Sequence, residues 1–180
     1  MGEEKGKLHR LFVAINLDDA LKERIWTALS GRLEREGKKI VEKENLHITV
    51  KFLGYFDEKN MNELVEKMKA FEEFRKFELT FNETGHFNRR VLWVGTVNGR
   101  KELKALNEKM NELLGLQEEK FETHVTLARV KHWKDKNELD AFLKKHLEAR
   151  QEVKSIDLME SKLSPKGPGY SVVKKFGLAD

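Results

Sequence analysis

The chain has 180 residues, 39% of them apolar and 37% charged, and no Cys, a balance that suits one compact domain or two small lobes sharing a core and excludes a disordered chain. Without Cys there is no disulfide, no thiolate nucleophile and no sulfur-ligated zinc, so any catalysis falls to His, carboxylates, hydroxyls or a metal held without sulfur. The net charge of +4 and pI near 9.1 permit a nucleic-acid partner without demanding one, because acids and bases alternate along the chain.

In chain order, apolar alternation predicts a strand over 8–17, then a helix behind Asp18 and Asp19 with Leu21, Ile25, Leu29 and Leu33 at helical spacing. A strand over 46–53 follows, and then a helix over 58–71 capped at Asp57, with Met61, Leu64, Val65, Met68 and Phe71 on one face. Strands over 77–87 and 91–97 precede a third helix built on Leu103, Leu106, Met110 and Leu113. The last third reads as a strand over 121–130, a helix over 136–147 built on Leu139, Phe142, Leu143 and Leu147, and strands over 153–163 and 170–176. A turn in SPKGPG, which holds Pro165 and Pro168, joins that final pair. The helical stripes are core.

No apolar run approaches the roughly 18 residues of a membrane span, and MGEEKGKLHR lacks the apolar stretch of a secretory leader; the expectation is a cytoplasmic protein. Lys and Glu dominate the charged residues and Gln occurs only at Gln117 and Gln151, a composition that points to a thermophilic source.

One tetrapeptide is written twice, as His47-Ile48-Thr49-Val50 and as His124-Val125-Thr126-Leu127. Six His and seven Thr in 180 residues give only about 0.2 chance His-x-Thr triplets. On a strand, His and Thr two residues apart leave from one face while their apolar neighbours leave from the other. Each copy runs into a predicted helix, at 58–71 and at 136–147, which marks a duplication. Two α+β halves related by a pseudo-two-fold would set His47 and His124 opposite each other in a shared groove. No linker rich in Pro, Gly or Ser divides them, so residues 1–180 read as a single domain of two lobes.

Two imidazoles and two hydroxyls converging on one point match the oxygens of a tetrahedral phosphoryl group. With an ordinary pKa near 6.5, one imidazole can serve as general acid and the other as general base on opposite sides of phosphorus, each role contributing about 10²- to 10⁴-fold. The threonines would hold the non-bridging oxygens as charge builds on them. Zinc binding is the competing chemistry, but neither His-x-His nor His-Glu-x-x-His is present and Glu122 is the one carboxylate beside a motif. Among nearby cations, Lys51 shares strand parity with His47 and Thr49, whereas Arg129 should face away from His124 unless a bulge turns it. Lys131, Arg89 and Arg90 read as solvated charges. His9, His86, His132 and His146 read as structural or surface residues.

HITVKFLG, HVTLARVK, HFNRRVLWVG and SKLSPKGPGYSVVKKFGL together resemble the two-histidine (2H) phosphoesterase superfamily, and within it the RNA 2′,3′-cyclic phosphodiesterase group, also known as LigT-like or 2′,5′ RNA ligase. The resemblance covers nearly the whole chain. It implies a bilobal α+β fold with antiparallel sheets lining a central groove and helices outside, with no metal and no cofactor. It implies that His47 and His124 are catalytic, that Thr49, Thr126 and Arg129 bind phosphate, and that a terminal RNA 2′,3′-cyclic phosphate is opened to a 2′-phosphate. Family precedent makes His47 the proton donor and His124 the proton acceptor, although the pseudo-symmetry leaves that polarity open from sequence. Many relatives have Pro where this chain has Thr123. The implied partner is an RNA end, tRNA fragments included, met by a monomer away from membranes. Joining RNA ends through a 2′,5′ linkage, and a non-catalytic RNA-end binding module, are the alternatives. Phe12, Phe56, Phe87, Trp93 and Tyr170 are candidates to stack a terminal base.

Overall fold

The computed structural model describes residues 6–33, 37–133, 135–165 and 167–180. Its elements are β1 (Leu8–Asn16), α1 (Asp19–Ala28), β2 (Lys38–Ile40), β3 (His47–Asp57), α2 (Met61–Met68), β4 (Phe77–Phe87), β5 (Val91–Asn98), α3 (Arg100–Leu114), β6 (His124–Val130), α4 (Lys136–Leu143), β7 (Ala149–Val153), β8 (Ser155–Ser164) and β9 (Gly167–Gly177). The expected α+β class holds: one curled antiparallel sheet carries four helices.

The strand order is β7-β4-β5-β6-β3-β1-β8-β9, with β2 beside β6. Its centre is narrow. β6 and β3 pair only at Ile48 and Val125, so the sheet divides into a His47 wing (β3-β1-β8-β9) and a His124 wing (β7-β4-β5-β6). The chain runs strand, helix, strand, helix, strand twice, as β1-α1-β3-α2-β4 and again as β5-α3-β6-α4 followed by β7 and β8. β4 then pairs with β5, and β8 pairs with β1. The first half thus lends β4 to the His124 wing and the second lends β8, with β9 beside it, to the His47 wing, which ties the two together without a linker.

Capping fixes the helix starts where the sequence put them. The Asp18 carboxylate accepts from the Leu21 N–H at 2.7 Å, and an N-cap of this kind stabilises by about 1 kcal/mol. Asp57 caps a short 3₁₀ turn that leads into α2. At the far end of α3, Gly115 takes φ +61° and stops the helix. Leu21, Ile25, Leu64, Met68, Leu103, Leu106, Met110 and Phe142 are buried against the sheet residues Ile48, Val50, Leu92, Val94, Val125 and Leu127. The opposite face of the His47 wing buries only a small cluster, Phe12, Ala14 and Met159 with Tyr170 against it.

β2 and β7 were not legible as strands. Lys-Lys-Ile is too short to show alternation, and β7 (Ala-Arg-Gln-Glu-Val) buries only its two ends. α4 stops at Leu143, before the expected 147, yet Leu147 is buried as anticipated. The final turn does join β8 to β9, with Ser164 opposite Gly167; Lys166 within it lies outside the described residues.

Candidate active site

Across the sheet's joint, the Ile48–Val125 pair sets an antiparallel register in which His47 faces Thr126 and Thr49 faces His124. Ile48 and Val125 are fully buried on the core face, so both His and both Thr lie on the opposite, groove face. The two histidines are then diagonal neighbours, a relation that puts side chains roughly 7–8 Å apart. A charge on His124 lowers the pKa of His47.

The same local device orients both rings. His47 Nδ1–H donates to the Asn45 carbonyl at 2.7 Å, and His124 Nδ1–H donates to the Glu122 carbonyl at 2.8 Å. A carbonyl can only accept, so Nδ1 carries the proton in each ring and Nε2 is left to exchange one with a ligand. His47 Nε2 lies 3.1 Å from the Thr49 hydroxyl. Burial lowers both pKa values, opposed in each case by the backbone carbonyl; Lys22 further lowers His47, and Arg129 further lowers His124 while Glu122 raises it.

β-Bulges then decide which cations and aromatics share that face. In β6, Trp93 pairs with Thr126 and Leu92 with Ala128, so Leu127 is an extra residue. The bulge buries Leu127 and Ala128 in succession and brings Arg129 to the side of His124 and Thr126. Arg129 does not face away, as regular alternation required. β3 repeats the device: Ala14 pairs with Thr49 and Val13 with Lys51, leaving Val50 extra. Lys51 is thereby turned from the groove into the core face, where it is 8% exposed and reaches Glu119 at 3.3 Å. Phe52 takes the groove position that Arg129 holds in the other motif. Both extra residues keep their carbonyls satisfied, Val50 by Asn107 Nδ2 at 2.7 Å and Leu127 by the Val41 N–H at 2.9 Å.

Aromatic rings flank both imidazoles. Phe12 lies 5.1 Å and Tyr170 5.3 Å from His47, the latter edge to face, and Phe87 meets His124 edge to face at 4.8 Å. Trp93 packs on Phe87 at 5.6 Å and lies over Gly85, where a Cβ would fall 2.2 Å from the indole. Beside His124 opens a pocket of about 300 Å³ lined by Glu83, Phe87, Trp93, Arg100, Phe121 and Thr123 among others. Thr123 bonds Thr96 at 3.0 Å and so anchors the segment leading into β6. Phe56 is not at the site; it packs against the core. Phe52 was missed because its groove position depends on the bulge.

The other histidines lie elsewhere. His9 pairs with Glu160 at 2.7 Å, His86 Nδ1 accepts from the Arg89 N–H at 3.1 Å, and His132 and His146 are exposed. Arg89 and Arg90 belong to the tight turn between β4 and β5. Lys131 is exposed beyond β6. Among the described residues no three His, Asp or Glu side chains form a group able to hold a metal.

Residues 19–93 match the model of the LigT like Phosphoesterase family. A Methanocaldococcus jannaschii protein named RNA 2′,3′-cyclic phosphodiesterase is 34% identical over 175 residues, covering 93% of this chain and 99% of its own. The chain belongs to the LigT-like phosphoesterase family. An Archaeoglobus fulgidus relative of the same name is 33% identical over 93% of this chain and 99% of its own. The fold agrees with that of the LigT-like phosphoesterase of Escherichia coli crystallised with 3′-AMP, at a TM-score of 0.84 and 22% identity over 97% of this chain and all of the other. A protein of Thermus thermophilus superposes with a TM-score of 0.79, at 24% identity over 93% of this chain and 97% of its own.

Proposed function

We propose that this LigT-like phosphoesterase is an RNA 2′,3′-cyclic phosphodiesterase that opens the terminal cyclic phosphate to a 2′-phosphate through a His/His acid–base pair without a metal, residues 1–180 acting as one unit. The relatives' shared name supports the reaction class. The observation that carries the chemistry is the diagonal His–Thr register across Ile48 and Val125, with Nδ1 of each ring held by a backbone carbonyl and Nε2 turned to the groove side, where His47 Nε2 meets the Thr49 hydroxyl.

In this reading His124 Nε2 takes a proton from water as it attacks phosphorus in line with O3′. His47 Nε2–H gives its proton to O3′ as the P–O3′ bond breaks, leaving the 2′-phosphate and a free 3′-hydroxyl. After turnover His124 is protonated and His47 neutral, and exchange with solvent resets the pair. Thr49, Thr126 and Arg129 hold the non-bridging oxygens; donors placed this way contribute about 10²- to 10³-fold each in acyl-transfer sites. The surroundings of the two rings support this polarity. The open pocket beside His124 gives water a route to phosphorus, whereas His47 sits between Phe12 and Tyr170, on the side to which this polarity assigns the ribose.

The need for a cyclic 2′,3′ ester makes RNA rather than DNA the substrate. Product analysis tests the reading. An RNA ending in 2′,3′-cyclic phosphate should yield the 2′-phosphate alone; a 3′-phosphate product would place the leaving oxygen on the wrong side of phosphorus and refute the assigned geometry.

A further inference from the structure

The groove face of the His47 wing continues well past the catalytic pair, and its most exposed part is aromatic. Phe12 pairs with Phe52 and Arg10 with Tyr55, with Leu53 left extra between those pairs. This second bulge, where Gly54 takes φ +76°, returns Tyr55 to the face that carries Phe52, while Leu53 and Phe56 pack into the core. Phe52 and Tyr55 are each 68% exposed, although the helices bury their apolar residues on the other side of the sheet. Phe52 stands 6.2 Å from Phe12, which in turn touches His47. The result is a row that leads away from the reacting phosphate: His47, Phe12, Phe52, then Tyr55 with Arg10 opposite.

We propose that this row is a stacking track for single-stranded RNA upstream of the cyclic end, Phe52 taking one base and Tyr55 the next, with Arg10 beside the intervening phosphate. The inference rests on the proposed function, which puts the departing O3′, and with it the ribose and the rest of the RNA chain, on the His47 side. Aromatic faces accept any base, so the track gives affinity without sequence preference. It would make an oligonucleotide end, rather than a cyclic mononucleotide, the preferred substrate.

The test compares KM for a nucleoside 2′,3′-cyclic phosphate with KM for di- and tetranucleotides ending in the same group. Wild type should bind the longer substrates about 5- to 100-fold better, the range that stacking one base on an aromatic side chain supplies. Tyr55→Ala should abolish the gain from di- to tetranucleotide and leave the mononucleotide KM within about twofold, while Phe52→Ala raises KM for both oligonucleotides. Both side chains are largely exposed, so the variants should melt with wild type, which separates lost stacking from lost fold. A wild-type KM independent of length, or a Tyr55→Ala effect equal on mono- and oligonucleotides, would overturn the track while leaving the proposed activity intact. Failure of wild type to open any of the three would instead overturn the activity, and the track with it.

Discussion

With Nδ1 of His47 and of His124 each committed to a backbone carbonyl, Nε2 is the ring position at which each gains or loses a proton. Burial lowers both pKa values below the ordinary 6.5. At neutral pH both rings are therefore mostly neutral, and the form with one proton shared between two rings peaks between two depressed values. A bell-shaped kcat/KM profile with its maximum below pH 6.5 is expected, measured on a cyclic-phosphate substrate. The bound phosphate's negative charge favours protonation, so the kcat profile should lie at higher pH than that of kcat/KM. A kcat/KM maximum above pH 7 would contradict the pairing. The same shifts act on folding: the unfolded chain takes up protons first as pH falls below about 6.5, so this contribution to stability is present above that pH and lost as pH drops through the folded values. At this scale the sequence was informative. The repeated His-x-Thr carried both imidazoles and both hydroxyls, because alternation along a strand needs no more than local geometry.

At the scale of single elements, alternation failed where strands bulge. Arg129 and Lys51 were each assigned by parity, and each lies on the face opposite to its assignment because Leu127 and Val50 are extra residues. Val50 and Leu127 are ordinary strand formers, so nothing in their side chains marks them; only Gly54 carries a sign of the neighbouring bulge at Leu53. What stabilises the β3 bulge is a long-range partner, the buried Asn107 of α3, whose amide reaches the Val50 carbonyl. Asn107→Ala strands a buried acceptor, at a cost of about 1–3 kcal/mol. The expected fall in melting temperature is about 2–10 °C, read by thermal unfolding, with reduced turnover because Thr49 precedes the bulge directly. An unchanged melting temperature would show that the bulge holds without this bond.

For the whole molecule, duplication was legible and its assembly was not. The strand–helix repeat predicted two halves facing each other, and the wings do meet at the paired motifs. The exchange of β4 and β8 between wings depends on pairings between strands of different halves, which no local pattern encodes. It matters for the proposed function because it holds the two His-x-Thr strands, joined by one residue pair, at a fixed separation. In the proposed chemistry the two imidazoles act as a unit across that joint, so losing either should cost nearly as much as losing both. The decisive measurement is single-turnover opening of an RNA 2′,3′-cyclic phosphate in EDTA by wild type, His47→Ala, His124→Ala and the double variant. Conversion by wild type, with each single variant slowed by at least about 10²-fold and the double variant little slower still, is the expected result. Equal conversion by wild type and either single variant, or conversion that EDTA abolishes, would contradict a metal-free histidine pair.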